Sequence, residues 1–547
     1  MELKDIENGD MVESSSSSMM PVTASSTTSL DEHTHDEKRG VPISPQKSPL
    51  FPQLPNDIPD IGDDPENEEE ESDKFIVDFE GPDDPLCPLN WSFKKRAFTT
   101  FMFACCTFGP QFNSSIYGPS TSDIAEIYHV SHEVATLGSS LYLLGIGFGP
   151  MLFAPVSEGL GRKIGCVVPF FFSGFFSIGC GAANNLQTVI IMRFFEGLLG
   201  GAPVSNSGGV LGDIWRPEVR GTALVCYAFV VAAATTLAPV VGAALDVSVS
   251  NGWRWGQYIC AIYTFVVSIA ISIFVDETYH PVVLSKKAKK LRLETRNWAY
   301  HSHHDEWDFS LKAIVTKHLL RPFQLLLTPI VTCMCFYGAY AFGLLYFGVI
   351  AVPFEFFKIR GWTLLPAYLP SFGVFTGIYI GGVINIIGGA HYKKKMKAAG
   401  GKPVPEERLF IMRVAVFFIP IGLFILGWTS DPKYPFMAPI VGLALMSCGF
   451  FCVFQGCLNY LVDTFTVYAA SAIAAATFTR SCMAAGFPLF ATIMFDNLGV
   501  DWGCSLIGFI ALLGIPIPYV LYRYGPTIRQ RNPYAIKATA VVALNAK

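Results

Sequence analysis

Twelve runs of predominantly apolar residues follow one another between residues 97 and 523, and they leave this chain little choice of solvent. They cover about 97–117, 134–156, 164–183, 188–212, 221–245 and 255–275, then 326–352, 365–388, 409–428, 437–462, 467–493 and 504–523. Each is close to the roughly 20 residues that a helix needs to cross about 30 Å of hydrocarbon. Inside lipid a backbone must satisfy its own N–H and C=O groups, which helices do within one segment. Composition agrees: 51% of the 547 residues are hydrophobic and 15% are charged, against about 25% charged in soluble domains. The expected class is an all-α polytopic membrane protein with twelve transmembrane helices in two six-helix bundles.

The runs split six and six around a polar stretch, 276–325, that begins with Lys286, Lys287, Lys289, Lys290, Arg292 and Arg296. The expected organisation is a disordered cytosolic tail over 1–90, a first bundle over 91–275, a cytosolic central loop over 276–325, a second bundle over 326–523 and a cytosolic tail over 524–547. The first tail holds Ser14–Ser18, prolines from Pro42 to Pro65 and the acidic run Glu68–Glu71, a composition that buries no core. It lacks a basic-then-apolar cleavable leader, so the first run is expected to direct insertion.

Lysine and arginine placement predicts orientation. One face takes Lys94–Arg96, Arg162, Lys163, Arg216, Arg220, the central cluster, Lys393–Lys395, Lys397, Lys402, Arg408, Arg523, Arg529 and Arg531. The other takes Arg254, Lys358, Arg360 and Lys433. Both termini are therefore expected in the cytosol. The formal charge of −5 has much of its acid in the tail, and no nucleic-acid partner is implied. Fourteen cysteines lie mostly in apolar runs without a Cys-x-x-Cys spacing, where cysteine acts as a small hydrophobe. His301, His303 and His304 read as solvated loop residues. Without a phosphate loop, metal-ligand set or nucleophile–base pair, neither an enzyme nor a metal or cofactor is expected.

Glycine and proline recur inside the second, fourth, fifth and eighth runs, which suits helices that pack closely and rock. Three motifs carry a resemblance. Gly149–Lys163, with Glu158, Gly161, Arg162 and Lys163, looks like the loop motif between helices 2 and 3 of the major facilitator superfamily. Arg193-Phe-Phe-Glu196-Gly197 resembles its helix 4 motif. Ala238-Pro239-Val-Val-Gly242-Ala243 resembles its helix 5 antiporter motif, with alanine at two glycine positions. Asn90-Trp91-Ser92, the Glu277–Leu284 string, Asn459–Thr464, Phe478–Ser481 and Gly486–Phe490 are similar to fungal drug:proton antiporters, nearest the yeast polyamine exporter branch.

The resemblance implies proton-coupled export of organic cations, polyamines or drugs by alternating access, driven by the proton gradient. A proton-coupled importer of a small polar solute and a non-transporting transceptor are the alternatives. Expected partners are the lipid bilayer, protons and a cationic or lipophilic small molecule. A monomer in the plasma membrane is expected, the vacuolar membrane being the alternative.

Arg193 and Glu196, three residues apart, share a helix face, and ionisable groups this deep normally face the bundle interior. Glu196 is the candidate proton carrier; a fixed structural pair is its alternative. Arg480 is expected to need an internal carboxylate or carbonyl. Asn113, Gln111, Tyr142, Asn206, Gln455 and Asn459 are candidates for a polar cavity, with Tyr337, Tyr340 and Tyr346 able to stack on a cation. Glu158, Gly161, Arg162, Lys163 and Asp463 are candidates for a latch between the halves, and Arg413 is expected to snorkel.

Overall fold

The computed structural model describes residues 75–81, 83–305, 315–398 and 404–537. Most of the expected first tail, part of the central loop (306–314), Lys402 and the final residues lie outside the described residues. Within them all regular elements are helical, with a lone bridge between Ile76 and His301.

The first six spans are α1 (Phe93–Ile116), α2 (His132–Leu160), α3 (Arg162–Gly181), α4 (Leu186–Ile214), α5 (Pro217–Ser248) and α6 (Gly252–Phe274). After a central-loop helix, His280–Thr295, come α7 (Pro329–Pro353), α8 (Ser371–Ala398), α9 in two pieces (Leu409–Ala415 and Phe418–Trp428) and α10 (Met437–Thr464). The helix Ala469–Gly514 breaks at Gly499, whose φ of 75° and ψ of 167° are not helical. The break separates α11 (469–498) from α12 (500–530), which continues through Pro516–Gln530. Each expected apolar run falls on one of these helices.

By length and apolarity alone, ten described stretches qualify as spans, the last of them Ala469–Gln530 with its two helices. The twelfth, α1, falls outside that set. Its inner part carries Pro110, Gln111, Asn113, Ser114 and Ser115, all buried, so its polarity belongs to the protein interior.

Local signals set the helix ends. Ser92, Ser131 and Asn185 accept hydrogen bonds from the backbone three residues on, at the starts of α1, α2 and α4, satisfying donors that a helix leaves open. The outer surface is apolar. On α6, Ile262, Val266, Ile269 and Ile273 are exposed while Cys260, Val267, Ser268 and Ile271 are buried. A stripe of bare isoleucine and valine at helical spacing requires lipid opposite it.

Inside, α2 and α4 approach backbone to backbone. A Cβ at Gly197 would collide with the Tyr142 carbonyl, and one at Gly145 with the Phe194 carbonyl. The first half holds several apolar clusters and the second one large one. A cluster of Tyr142, Leu143 and Ile146 with Tyr346, Ala484 and Ala485 joins α2 to α7 and α11 across the halves. Phe229 on α5 and Tyr379 on α8, with centroids 5.1 Å apart, make a second junction.

The segment from Phe75 to Asn90, grouped with the tail on composition, packs against the central loop. Val77 donates to the His301 carbonyl at 2.8 Å, and His301 donates to the Phe75 carbonyl at 3.1 Å. Lys287 of the central-loop helix pairs with Glu80 at 3.0 Å and Asp84 at 3.5 Å. His304 is packed as well: its Nε2 lies 3.0 Å from the Gly159 carbonyl, and its ring meets Tyr279 edge-on.

Candidate functional site

Arg193 and Glu196 project from α4 into the first half and are 0% and 1% exposed. They form an ion pair at 3.3 Å. Asn113 on α1 completes the unit: its amide donates to Glu196 Oε1, while its Oδ1 accepts from Arg193 Nη1 at 2.7 Å. Arg193 also donates to the Asn113 carbonyl at 3.0 Å and weakly to that of Gly138 at 3.4 Å. The rings of Tyr142 and Tyr117 flank the guanidinium, with centroids 4.2 and 4.9 Å away. Tyr142 is held in turn by its hydroxyl, which donates to the Pro110 carbonyl at 2.9 Å. The result is a buried, neutral, fully hydrogen-bonded charge pair, tied to α1 and α2.

A second centre lies at the face where α1 starts and α12 ends. Arg162, at the start of α3, pairs with Asp213 at the end of α4 at 3.2 Å and donates to Ser157 at 3.0 Å. Glu277 caps α3: its Oε1 accepts from Arg162 N at 2.8 Å and its Oε2 from Lys163 N at 3.2 Å. A carboxylate at a helix N-terminus meets both the open donors and the helix dipole. Gly161 precedes it with φ 101°, and a Cβ there would run into that carboxylate. Glu158 acts electrostatically on Arg162. Lys163 reaches back to the Ser272 carbonyl at 2.8 Å.

The second half repeats the arrangement. Arg408, just before α9, pairs with Asp463 at the end of α10 at 2.7 Å, and Tyr392 on α8 donates to the same carboxylate at 2.7 Å. The latch expected between halves is thus two pairs, each closed within its own half. Asp213, Glu277, Arg408 and Tyr392 were not among the expected site residues. Glu277 stood in a family-like string; for the other three the signal was the matching positions of Arg162 and Arg408, each opening the third helix of its half.

Other expected cavity residues scatter. Asn206 accepts from Ser157 at 3.0 Å and donates to the Phe153 carbonyl at 3.3 Å, so it ties α4 to α2 beside Arg162. Tyr340 donates to the Ile507 carbonyl at 2.7 Å, and Tyr337 packs against Gly514, so both serve the contact of α7 with α12. Gln111 is buried and its carbonyl accepts from Ser114. Gln455 and Asn459 share one partly buried face of α10. Tyr346 does reach the interface between halves, where its hydroxyl lies 3.1 Å from Ser114 Oγ. Gly242 sits where a Cβ would press on the Ile116 carbonyl, and Pro239 lies within α5. Ala238 and Ala243, in the expected glycine positions, are fully buried. Arg413 stacks on Tyr522 at 3.8 Å.

Arg480, for which an oxygen partner was expected, lies instead between aromatic rings. Its guanidinium is 5.0 Å from the ring centre of Phe342 and 5.4 Å from that of Phe454. No cluster of three or more His, Cys, Asp or Glu side chains able to hold a metal occurs among the described residues.

Comparison with known proteins gives this geometry a family. The model of the Major Facilitator Superfamily matches residues 103–488. The efflux pump bik6 of Gibberella fujikuroi is 40% identical over 473 residues, covering 86% of this chain and 97% of that protein. The major facilitator superfamily multidrug transporter FLU1 of Candida albicans is 35% identical over 468 residues, covering 85% and 76%. The xylose transporter XylE from E. coli, in a partially occluded inward open conformation, superposes with a TM-score of 0.54 at 16% identity over 79% of this chain and 99% of that one. The likeness to XylE concerns the fold alone; the matches to the family model and to bik6 and FLU1 go further. This chain belongs to the major facilitator superfamily and is a multi-pass membrane transporter, not an enzyme.

Proposed function

We propose that this chain is a proton-coupled exporter of lipophilic, drug-like organic molecules, working by alternating access in the plasma membrane with both termini in the cytosol. The observation that carries the reading is the buried unit of Asn113, Arg193 and Glu196. Its carboxylate is the one acidic group set deep in the apolar runs. A proton on Glu196 cancels its charge and leaves Arg193 without a counter-ion. Asn113 and the Gly138 carbonyl still hold that guanidinium, but the net charge of the unit has changed from zero to plus one. In a low-dielectric interior such a change biases the packing of α1, α2 and α4. Release of the proton on the opposite side resets the unit.

Export over import is favoured by the relatives, which are named as an efflux pump and a multidrug transporter. Drug-like molecules are favoured over the polyamines and organic cations that the resemblance also implied. A polycation needs free carboxylates along its path, and Glu196 already serves Arg193 and Asn113. The test is Glu196→Gln in proteoliposomes with an imposed pH gradient. Substrate exchange without a gradient should persist while gradient-driven accumulation is lost. Retention of gradient-driven transport would show that another group couples the proton.

A further inference from the structure

Of the Asp, Glu, Lys and Arg residues, three lie more than four residues inside the apolar runs: Arg193, Glu196 and Arg480. The first two neutralise one another. Arg480, on α11, has no acidic partner among the described residues, and the titratable groups acting on it are the phenols of Tyr346 and Tyr227. Arginine stays protonated in proteins, so the interior carries one uncompensated positive charge. It is partly exposed and, together with Cys335, Gly338, Phe454, Cys457 and Ala476, borders a narrow gap of about 10 Å³.

The surroundings favour one kind of visitor. Phe342 and Phe454 hold the guanidinium between their rings, and Phe450 stacks on Phe454 with centroids 5.8 Å apart. An aromatic body can stack here while an oxyanion takes the fork of donors that arginine presents. A cation at the same place meets a like charge with no carboxylate to offset it. A gap of about 10 Å³ holds about one water, so a larger anion enters only where α7, α10 and α11 part during alternating access.

We propose that Arg480 with Phe342 and Phe454 forms an anion subsite of the transport path, opened as the helices around it part, and that the exported molecule is an aromatic acid, bearing a carboxylate or phenolate that pairs with Arg480. The inference rests on the export reading and narrows its substrate. It also sets the charge balance. One anion leaving for one proton entering moves two positive charges inward, whereas a monocation exchanged for a proton moves none.

The test uses the full chain and two probes of one shape, 1-naphthoate and 1-naphthylmethylammonium. Binding is read by calorimetry on purified protein, and flux in proteoliposomes with an imposed pH gradient and membrane potential. Naphthoate should bind and the ammonium probe should not. Arg480→Gln should weaken naphthoate binding roughly tenfold or more, the scale of a lost charge-assisted hydrogen bond, and Arg480→Lys should recover part of it. Should Arg480→Gln fail to fold, Phe454→Leu keeps the charge, removes one ring and should weaken naphthoate several-fold. Naphthoate flux should rise when the side bearing the termini is made negative. Equal naphthoate binding by Arg480→Gln, or preferential binding of the ammonium probe, would overturn the subsite. If naphthoate binds through Arg480 but a gradient drives the flux neither of naphthoate nor of neutral drug-like compounds, the export reading fails and the anion site stands; if only naphthoate is not carried, the aromatic-acid substrate fails. If the ammonium probe is carried and naphthoate does not bind, the subsite fails and export stands.

Discussion

Ser114 Oγ and the hydroxyl of Tyr346 lie 3.1 Å apart and join α1 to α7, hence one half of the molecule to the other. Ser114 follows Asn113, which holds Glu196. The Tyr346 ring meets Phe342 at 5.7 Å, and Phe342 flanks Arg480. A continuous path of contacts therefore runs from the carboxylate in the first half to the lone guanidinium in the second. Contiguity is a condition for coupling and must be tested as such.

Tyr346→Phe tests it with minimal change in shape. The variant keeps the ring and removes the hydroxyl. A net hydrogen bond contributes about 1 kcal/mol, so the ratio of the two conformations should shift about fivefold. Spin labels at the outer ends of α2 and α11 should report that shift as a change in the populations of two distances. Unchanged populations would mean that the two halves are set against each other by apolar packing alone.

The contact of α2 with α4 supports a second expectation. Gly197→Ala drives a methyl group into the Tyr142 carbonyl, and overpacking of this kind costs about 1–3 kcal/mol. The displaced Tyr142 also leaves Arg193. Melting temperature and flux should both fall. Gly208→Ala, on the same helix with open space around it, should leave both intact, since alanine is the better helix former.

How much of this was legible follows from the range of each interaction. The spans were legible because lipid demands a long apolar run of every helix, whatever its neighbours. Arg193 with Glu196 was legible because both partners lie on one helix turn. Asn113 was a cavity candidate, but its role as the bridge between the two was hidden, since its partners are 80 and 83 residues away. Glu277 was seen only as part of a family-like string, for its bond to Arg162 spans 115 residues. The contacts of Tyr337 and Tyr340 with α12 were hidden, because a helix with apolar residues all round does not reveal which face meets its neighbours.

The pairs Arg162–Asp213 and Arg408–Asp463 lead to a third expectation. Each guanidinium is mostly buried, with side chains 13% and 27% exposed. Asp213→Asn or Asp463→Asn removes its hydrogen-bonded counter-ion at a cost of about 1–3 kcal/mol. The two substitutions lie in different halves and share no partner, so their effects on thermal stability should add to within about 0.5 kcal/mol. A large non-additive term in the double variant would instead mean that the pairs communicate across the halves, as a latch between them requires.

The anchor of residues 75–90 on the central loop makes the last expectation, and it concerns pH. Asp84 is buried and accepts backbone hydrogen bonds from Glu80 at 2.9 Å and Leu86 at 2.8 Å. Those bonds first, and Lys287 beside them, hold its carboxyl below the ordinary value of 3.8. A depressed folded value means that the detached segment takes up protons first as acid is added. The stabilisation is therefore complete above about pH 4 and is lost only as pH falls through the lower, folded value. Hydrogen exchange at Val77, whose N–H bonds the His301 carbonyl, should stay equally protected from pH 8 to pH 5 once the intrinsic rate is corrected for. Asp84→Asn should reduce that protection across the whole interval, because its amide cannot accept both backbone donors with a carboxylate's strength. Protection that fell between pH 7 and pH 5 in the parent protein would mean that a group other than Asp84 holds the anchor.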